Sequence, residues 1–396
     1  TDQLRQEITK LNARLAQLEA KQNATAAKVN APAPKPNVTF FFDNRIQWNH
    51  TDLRPADGGS VGGEKAGIAD QGQFMERIRV YMNAKVGDSW EWNARLHQTK
   101  WNINGPDNTV KFDRFWVTDK NILGGTLDLG RQGLFPGKAL FWNYVGDTDA
   151  AVYTAKADRT TFKIGAGYQG GSGNSSGVTS SLPYTLETKG QLMKFAEVSY
   201  KPTKKSDIGL LYIEQNNPNS KMTAAGYPIN YRNFNDLKVF AVNGAFEIPN
   251  TDGLALAFEW GKNHASNNAA LGFKGGQSGY YVALHSSYSG TNIHPMLATS
   301  IVNPFKKGDH GWALSYRHMP TGMAGLGNRA TASMVPATTD SDGSWMNNYD
   351  NVNAWRFDYI YVPWKNVQWT LTYDRIKPIT GSWTNNNIQS TFNFFF

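Results

Sequence analysis

Cysteine is absent from all 396 residues. That removes disulfide frameworks, thiolate metal centres and cysteine nucleophiles, and leaves the compartment open. Long apolar runs are missing too. Stretches such as Leu254 to Phe258 reach about five residues, where a membrane-spanning helix needs roughly 18. Charge is sparse, with Asp, Glu, Lys and Arg at 18% and a net charge of +8. Residues 1–37 hold six Lys or Arg and three Asp or Glu, so they carry +3 and the remainder +5. Neither part has the dense basic run of a nucleic-acid binder, and no nucleic-acid partner is expected. Thr1-Asp2 opens without the basic and apolar regions of a secretory signal, so the sequence reads as processed, trimmed or cytoplasmic.

Motifs for bond-making chemistry are equally thin. Gly173-Asn-Ser175-Ser-Gly177 has the G-x-S-x-G spacing of a nucleophile elbow, but no helical pattern follows it to expose the serine. Gly325-Leu-Gly327-Asn-Arg-Ala330 resembles a dinucleotide fingerprint, with no strand before it and no helix after. The seven histidines are scattered without an H-x-x-x-H pair, so no metal centre is expected. Asp340, Asp342 and Asp350 in one long loop could hold calcium weakly, although a solvated loop is the simpler reading. The expectation is a protein that is not an enzyme and has no cofactor.

What the chain does have is rings, with 21 Phe, 17 Tyr and 13 Trp inside a hydrophobic share of only 40%. Before they begin, Leu4, Ile8, Leu11, Leu15 and Leu18 follow one another at spacings of 4, 3, 4 and 3. This is a heptad seam, with Leu4, Leu11 and Leu18 at d and Ile8 and Leu15 at a. A stripe so narrow cannot bury itself, which predicts an oligomerising coiled-coil stalk over 1–30. The three prolines of 31–37 then end the helix and predict an extended linker.

From Val38 onward the period is two. Phe40, Phe42, Ile46 and Trp48 alternate with Phe41, Asp43, Arg45 and Gln47. Trp90, Trp92, Ala94 and Leu96 alternate with Glu91, Asn93, Arg95 and His97, and Trp355, Phe357 and Tyr359 with Arg356 and Asp358. Segments of about ten residues with this dyad mark a transmembrane β-barrel. Reading the pattern through 38–396 gives about 16 antiparallel strands, or about 22 residues per strand with its connection. Short turns such as 87–89, 158–159 and 363–365 alternate with long Gly-, Ser- and Asn-rich loops such as 50–72, 170–190, 216–235 and 320–350. One connection, 291–308, is long where a short turn is due, and it reads either as an extra strand or as a folded turn. Arg114 and Lys194 fall out of phase, which would suit a subunit interface.

Energetics orient the strands. An arginine facing lipid near mid-membrane costs roughly 2 to 4 kcal/mol, so Arg45, Arg77, Arg79 and Arg95 outside would cost about 8 to 16. That rivals the stability of a whole domain. These four should line the interior, joined by Lys85, Lys163, Arg317 and Arg356.

The ending Ile388-Gln-Ser-Thr-Phe392-Asn-Phe394-Phe-Phe396 looks like the C-terminal signature that the barrel-assembly machinery recognises, with Phe392, Phe394 and Phe396 on one face. Gly125-Thr-Leu-Asp-Leu-Gly-Arg131-Gln132 is similar to the strand before the inward-folded third loop of sixteen-stranded trimeric porins. Heptad stalk, proline spacer, barrel and final Phe together resemble the stalked OmpM-type porins of diderm Firmicutes. The resemblance implies an outer-membrane homotrimer with its stalk in the periplasm. A domain upstream of Thr1 would bind peptidoglycan and tether the membrane. It makes 133–150 the constriction loop, with Asp147 and Asp149 facing a wall of Arg45, Arg77, Arg79, Arg95 and Arg131. Small hydrophilic solutes would then diffuse passively through a charged pore. The rival readings are a substrate-specific channel for anions or sugars, with Phe41 and Tyr81 as stacking surfaces, and a mainly structural membrane tether.

Overall fold

The computed structural model describes residues 2–30, 38–55, 70–101, 110–138, 140–141, 144–169, 191–215, 237–265, 276–286, 301–320, 323, 352–379 and 383–396. The linker 31–37, the two glycine motifs, the three loop aspartates and most of the long connections lie outside them. The chain divides into two units, Thr1–Val38 and Thr39–Phe396.

The first unit contains one helix, α1 (Asp2–Asn30). Leu11, Leu15 and Leu18 stand 65, 57 and 64% exposed on it.

The second unit is a closed antiparallel barrel. Its strands are β1 (Val38–Pro55), β2 (Asp70–Lys85), β3 (Trp90–Trp101), β4 (Lys111–Ile122), β5 (Gly125–Leu134), β6 (Tyr144–Ala157), β7 (Thr160–Gln169) and β8 (Gln191–Thr203). They continue with β9 (Ser206–Gln215), β10 (Leu237–Glu247), β11 (Ala255–Asn263), β12 (Ser278–His285), β13 (His310–Met319), β14 (Val352–Trp364), β15 (Val367–Pro378) and β16 (Trp383–Phe395). Each strand pairs with its sequence neighbours, and β1 pairs with β16 from Asp43↔Phe395 to Pro55↔Trp383, which removes both sheet edges. At one end the hairpins are tight. Leu123 and Gly124 both adopt positive φ (49° and 75°), as a two-residue hairpin turn requires.

Polarity is inverted relative to a protein dissolved in water. The outer face exposes Phe162, Ile164, Leu210, Phe240, Trp260, Trp355 and Phe357. The inner face buries Gln47, Asn49, Gln368, Thr370, Gln389 and Thr391, which bond one another, as in Gln47 to Asn49 at 2.9 Å and Gln389 to Thr391 at 2.9 Å. Hydrocarbon outside and polar groups inside is the arrangement a lipid-embedded barrel demands.

Two departures from the period-two reading have local causes. Register slips between Arg95 and Leu96 opposite Arg114 and Phe112, a bulge that turns both Asp113 and Arg114 to the inside. Arg114 is therefore a lumen residue. Lys194 does stand on the outer face, opposite Glu214 across the ladder. The described part of the 291–308 connection is a folded turn and not a strand. Gly308 N bonds Val362 O at 2.8 Å, Asn366 N bonds Pro304 O at 2.8 Å, and Ile301 and Val302 bury against Ala313, Ile360 and Val362.

Candidate functional site: the charged lumen

Inner-face residues of β1 to β4 form a basic wall. Arg77 Nη2 donates to both carboxylate oxygens of Asp43 at 3.0 Å, and Arg79 Nη1 lies 3.7 Å from the same group. Arg45 Nε donates to Asn393 Oδ1 at 2.8 Å across the β1–β16 seam. Arg95 grips Asp113 with Nε at 2.7 Å and with Nη2, while His97 Nδ1 sits 3.0 Å from Asp113 Oδ2. The Arg95 guanidinium also lies 5.7 Å from the centre of the Tyr81 ring, a cation–π contact. Arg114 stands beside Arg95 in the ladder. Among the described residues five guanidinium groups thus share two carboxylates, Asp43 and Asp113, which leaves three positive charges over. Donors are left over as well: Arg77 Nε, Arg79 Nε and both Nε and Nη2 of Arg114 have no hydrogen-bond partner among the described residues.

The opposite wall is built by the β5–β6 connection. Leaving β5, the chain turns inward at Gly137 and is pinned to β9 and β11. Lys138 Nζ reaches Asp207 Oδ1 at 2.5 Å, and Leu140 N donates to Glu259 Oε2 at 2.8 Å. Gly137 has φ +64°, and a Cβ there would run into Glu259 and Leu211, so only glycine fits. Phe141, fully buried, occupies a slot left by Gly261 and Gly279. Leu134, Leu140 and Phe141 then pack with Leu211, Ile213, Ala241 and Tyr281 into an apolar core inside the barrel. The interior is therefore split between a loop-packed apolar side and a basic side. Glu259 belongs to the first, and its Oε1 has no partner among the described residues.

Charge on β13 to β15 is matched more closely. Arg356 makes two bonds of 2.7 Å to Asp358, which also accepts from Thr372 Oγ1 at 2.6 Å. Arg317 and Asp374 lie buried on the same inner face. Lys85 and Lys163 are on inner-face positions opposite Glu91 and Glu197.

The structure corrects the expected constriction. β5 runs on to Leu134 and β6 begins at Tyr144, so the connection is shorter than 133–150 and both Asp147 and Asp149 belong to a strand. Arg131 and Asp149 bond each other at 3.0 and 3.1 Å, alternating with buried Gln132, Thr148 and Ala150. Cross-strand from exposed Phe115, they stand on the outer face and not in the lumen. For Asp147 the backbone alone is described. The acids that pair with the basic wall and anchor the loop, Asp43, Asp113, Asp207 and Glu259, all sit on polar strand positions. Their dyad phase shows which face they occupy, but only the fold shows that they meet.

No known family profile matches the chain, and no curated protein is similar to it in sequence. Solved structures are similar in fold. OprB of Pseudomonas putida superposes with a TM-score of 0.54 at 12% identity, covering 91% of this chain and 94% of that one. OmpF of Salmonella typhi gives 0.49 at 11% over 90% and 97%, and OpdL of Pseudomonas aeruginosa 0.48 at 10% over 91% and 99%. The fold is that of the sixteen-stranded porin barrels.

Proposed function

We propose that the protein is an outer-membrane porin through which small hydrophilic solutes and ions diffuse passively. The observation that carries this reading is the lumen itself. A closed barrel with an apolar exterior holds five inward arginines on β1 to β4 and, on the far wall, an inward loop tied to Asp207 and Glu259. Strands β2 and β3 lie half a circuit from β10 and β11 in the barrel order. A field directed across the pore orients dipolar solutes and biases ion passage without any bond being made or broken.

In this reading the tight turns face the periplasm. α1 trimerises through Leu4, Ile8, Leu11, Leu15 and Leu18, and a region upstream of Thr1 attaches to peptidoglycan. Phe392, Phe394 and Phe396 serve assembly of the barrel into the membrane. The exposure of Leu11, Leu15 and Leu18 on α1 supports the stalk, since three such stripes can cover one another.

The test is single-channel conductance of the purified protein in planar bilayers. Large openings that close in three equal steps are expected. A folded, heat-modifiable barrel that passes no current would overturn the channel reading and leave a membrane tether.

A further inference from the structure

The tight-turn end of the basic wall carries a second feature that ion passage alone does not use. Phe41, Tyr81 and Phe395 lie on the inner face. Phe41 is in phase with Asp43 and Arg45, Phe395 is the cross-strand partner of Asp43, and Tyr81 that of Arg95. Their rings form a chain, with centroids 6.0 Å apart for Phe41 and Tyr81 and 6.2 Å for Phe41 and Phe395, the latter pair inclined by only 22°. Phe305 joins it from the folded 301–309 turn, 6.5 Å from Phe395. Phe41 and Phe305 remain 39% and 50% exposed.

Each observation is costly for a simple aqueous pore. An aromatic ring facing water forgoes the stabilisation it would gain facing lipid, and here the lipid-facing phase was one residue away. The buried donors Arg77 Nε, Arg79 Nε and Arg114 Nη2 have no hydrogen-bond partner among the described residues, although buried donors are normally satisfied. Along β1, Phe41 is four residues from Arg45, and along β2, Tyr81 is two from Arg79. A guanidinium cluster with an excess of positive charge therefore adjoins a ring-lined patch on the same wall, through Arg95 on Tyr81 and Tyr81 on Phe41. A small molecule with a carboxylate or phosphate at one end and a flat ring at the other satisfies both at once. A bare inorganic anion satisfies only the first.

We propose that this wall is a binding site for anionic solutes that carry an aromatic ring, the anion held by Arg77, Arg79 and Arg114 and the ring by Phe41, Phe305 and Phe395. The site rests on the channel reading and names its solute class.

The experiment compares benzoate with acetate, which share a carboxylate and differ in the ring. Current carried by chloride through the full-length protein is recorded while either is added. Benzoate is expected to reduce it at concentrations about tenfold lower than acetate, the ratio one favourable ring contact supplies. In Phe41→Ala/Phe305→Ala, and in Phe305→Ala alone, whose altered residue sits in an exposed turn, the ratio falls toward one. In Arg77→Gln/Arg79→Gln both anions weaken together. Equal block by the two anions in the native protein, or a ratio preserved in the double phenylalanine variant, would overturn the proposal. Calorimetric titration of benzoate and acetate into the detergent-purified protein reads the same ratio without current. A barrel that conducts but fails to discriminate thus refutes the site alone, and one that does not conduct refutes the channel.

Discussion

The backbone N–H of Leu140 donates to Oε2 of Glu259 at 2.8 Å, tying the β5–β6 connection to a strand five places further round the barrel. Together with Lys138 on Asp207, this bond decides how far the connection intrudes on the lumen. Replacing Glu259 by Ala removes the carboxylate that accepts from the Leu140 N–H, a loss of about 1–3 kcal/mol. Gly137→Ala acts on the same anchor from the other side, by driving a methyl into the Glu259 carboxylate. Both variants are expected to denature at lower temperature in heat-modifiability gels. Both should also show larger, noisier single-channel currents. Unchanged currents would mean that the connection is held by Phe141 packing and the Lys138–Asp207 pair without the Glu259 bond.

Selectivity separates the two faces of the sheet. Arg77 and Arg79 stand in the lumen with Asp43, whereas Arg131 pairs with Asp149 on the outside. Arg77→Gln/Arg79→Gln removes two of the three unbalanced charges on the basic wall. The reversal potential in a salt gradient is expected to shift toward cations. Arg131→Gln should leave it where it was, since its charge is neutralised outside the pore. A shift caused by Arg131→Gln would return that residue to the constriction.

Much of this was legible in the sequence. Strand count, barrel class and the inward face of Arg45, Arg77, Arg79 and Arg95 all follow from a side-chain period of two and the cost of charge in lipid. Three things were not. The bulge at Asp113 and Arg114 breaks the period by one residue, so alternation alone sends Arg114 to the wrong face. Asp149 seemed a loop acid because the Gly- and Pro-containing stretch before it hides where β6 begins, at Tyr144. Glu259 reads as one more polar strand residue. Its meeting with Leu140 spans 119 positions in the chain, a distance no local pattern carries.

The β14 charges are a stability device more than a selectivity device. Arg356 neutralises Asp358 through two bonds of 2.7 Å and lies among Asp374 and Tyr281 on the buried inner wall. Arg356→Met leaves the Asp358 and Asp374 carboxylates without that cation, at a cost of about 3–5 kcal/mol for a broken buried pair. Asp358→Asn keeps an acceptor for Thr372 and should cost less. Urea midpoints of the two variants check the order. Equal midpoints would show that the network is wet and screened.

The helix seam makes a separate claim, on assembly. Leu11, Leu15 and Leu18 are each more than half exposed, and in the proposed stalk other copies of the chain would bury them. Placing aspartate at Leu11 and Leu18 puts charge into two d layers of every strand of the coil. Such layers tolerate a polar residue at a price in stability, but not stacked like charges. The native protein is expected to sediment as a trimer in detergent and the full-length Leu11→Asp/Leu18→Asp protein as a monomer, with the barrel still heat-modifiable. Its currents should then close in single steps. If the trimer persists, the contacts that hold it belong to the outer face of the barrel, and α1 serves attachment without serving assembly.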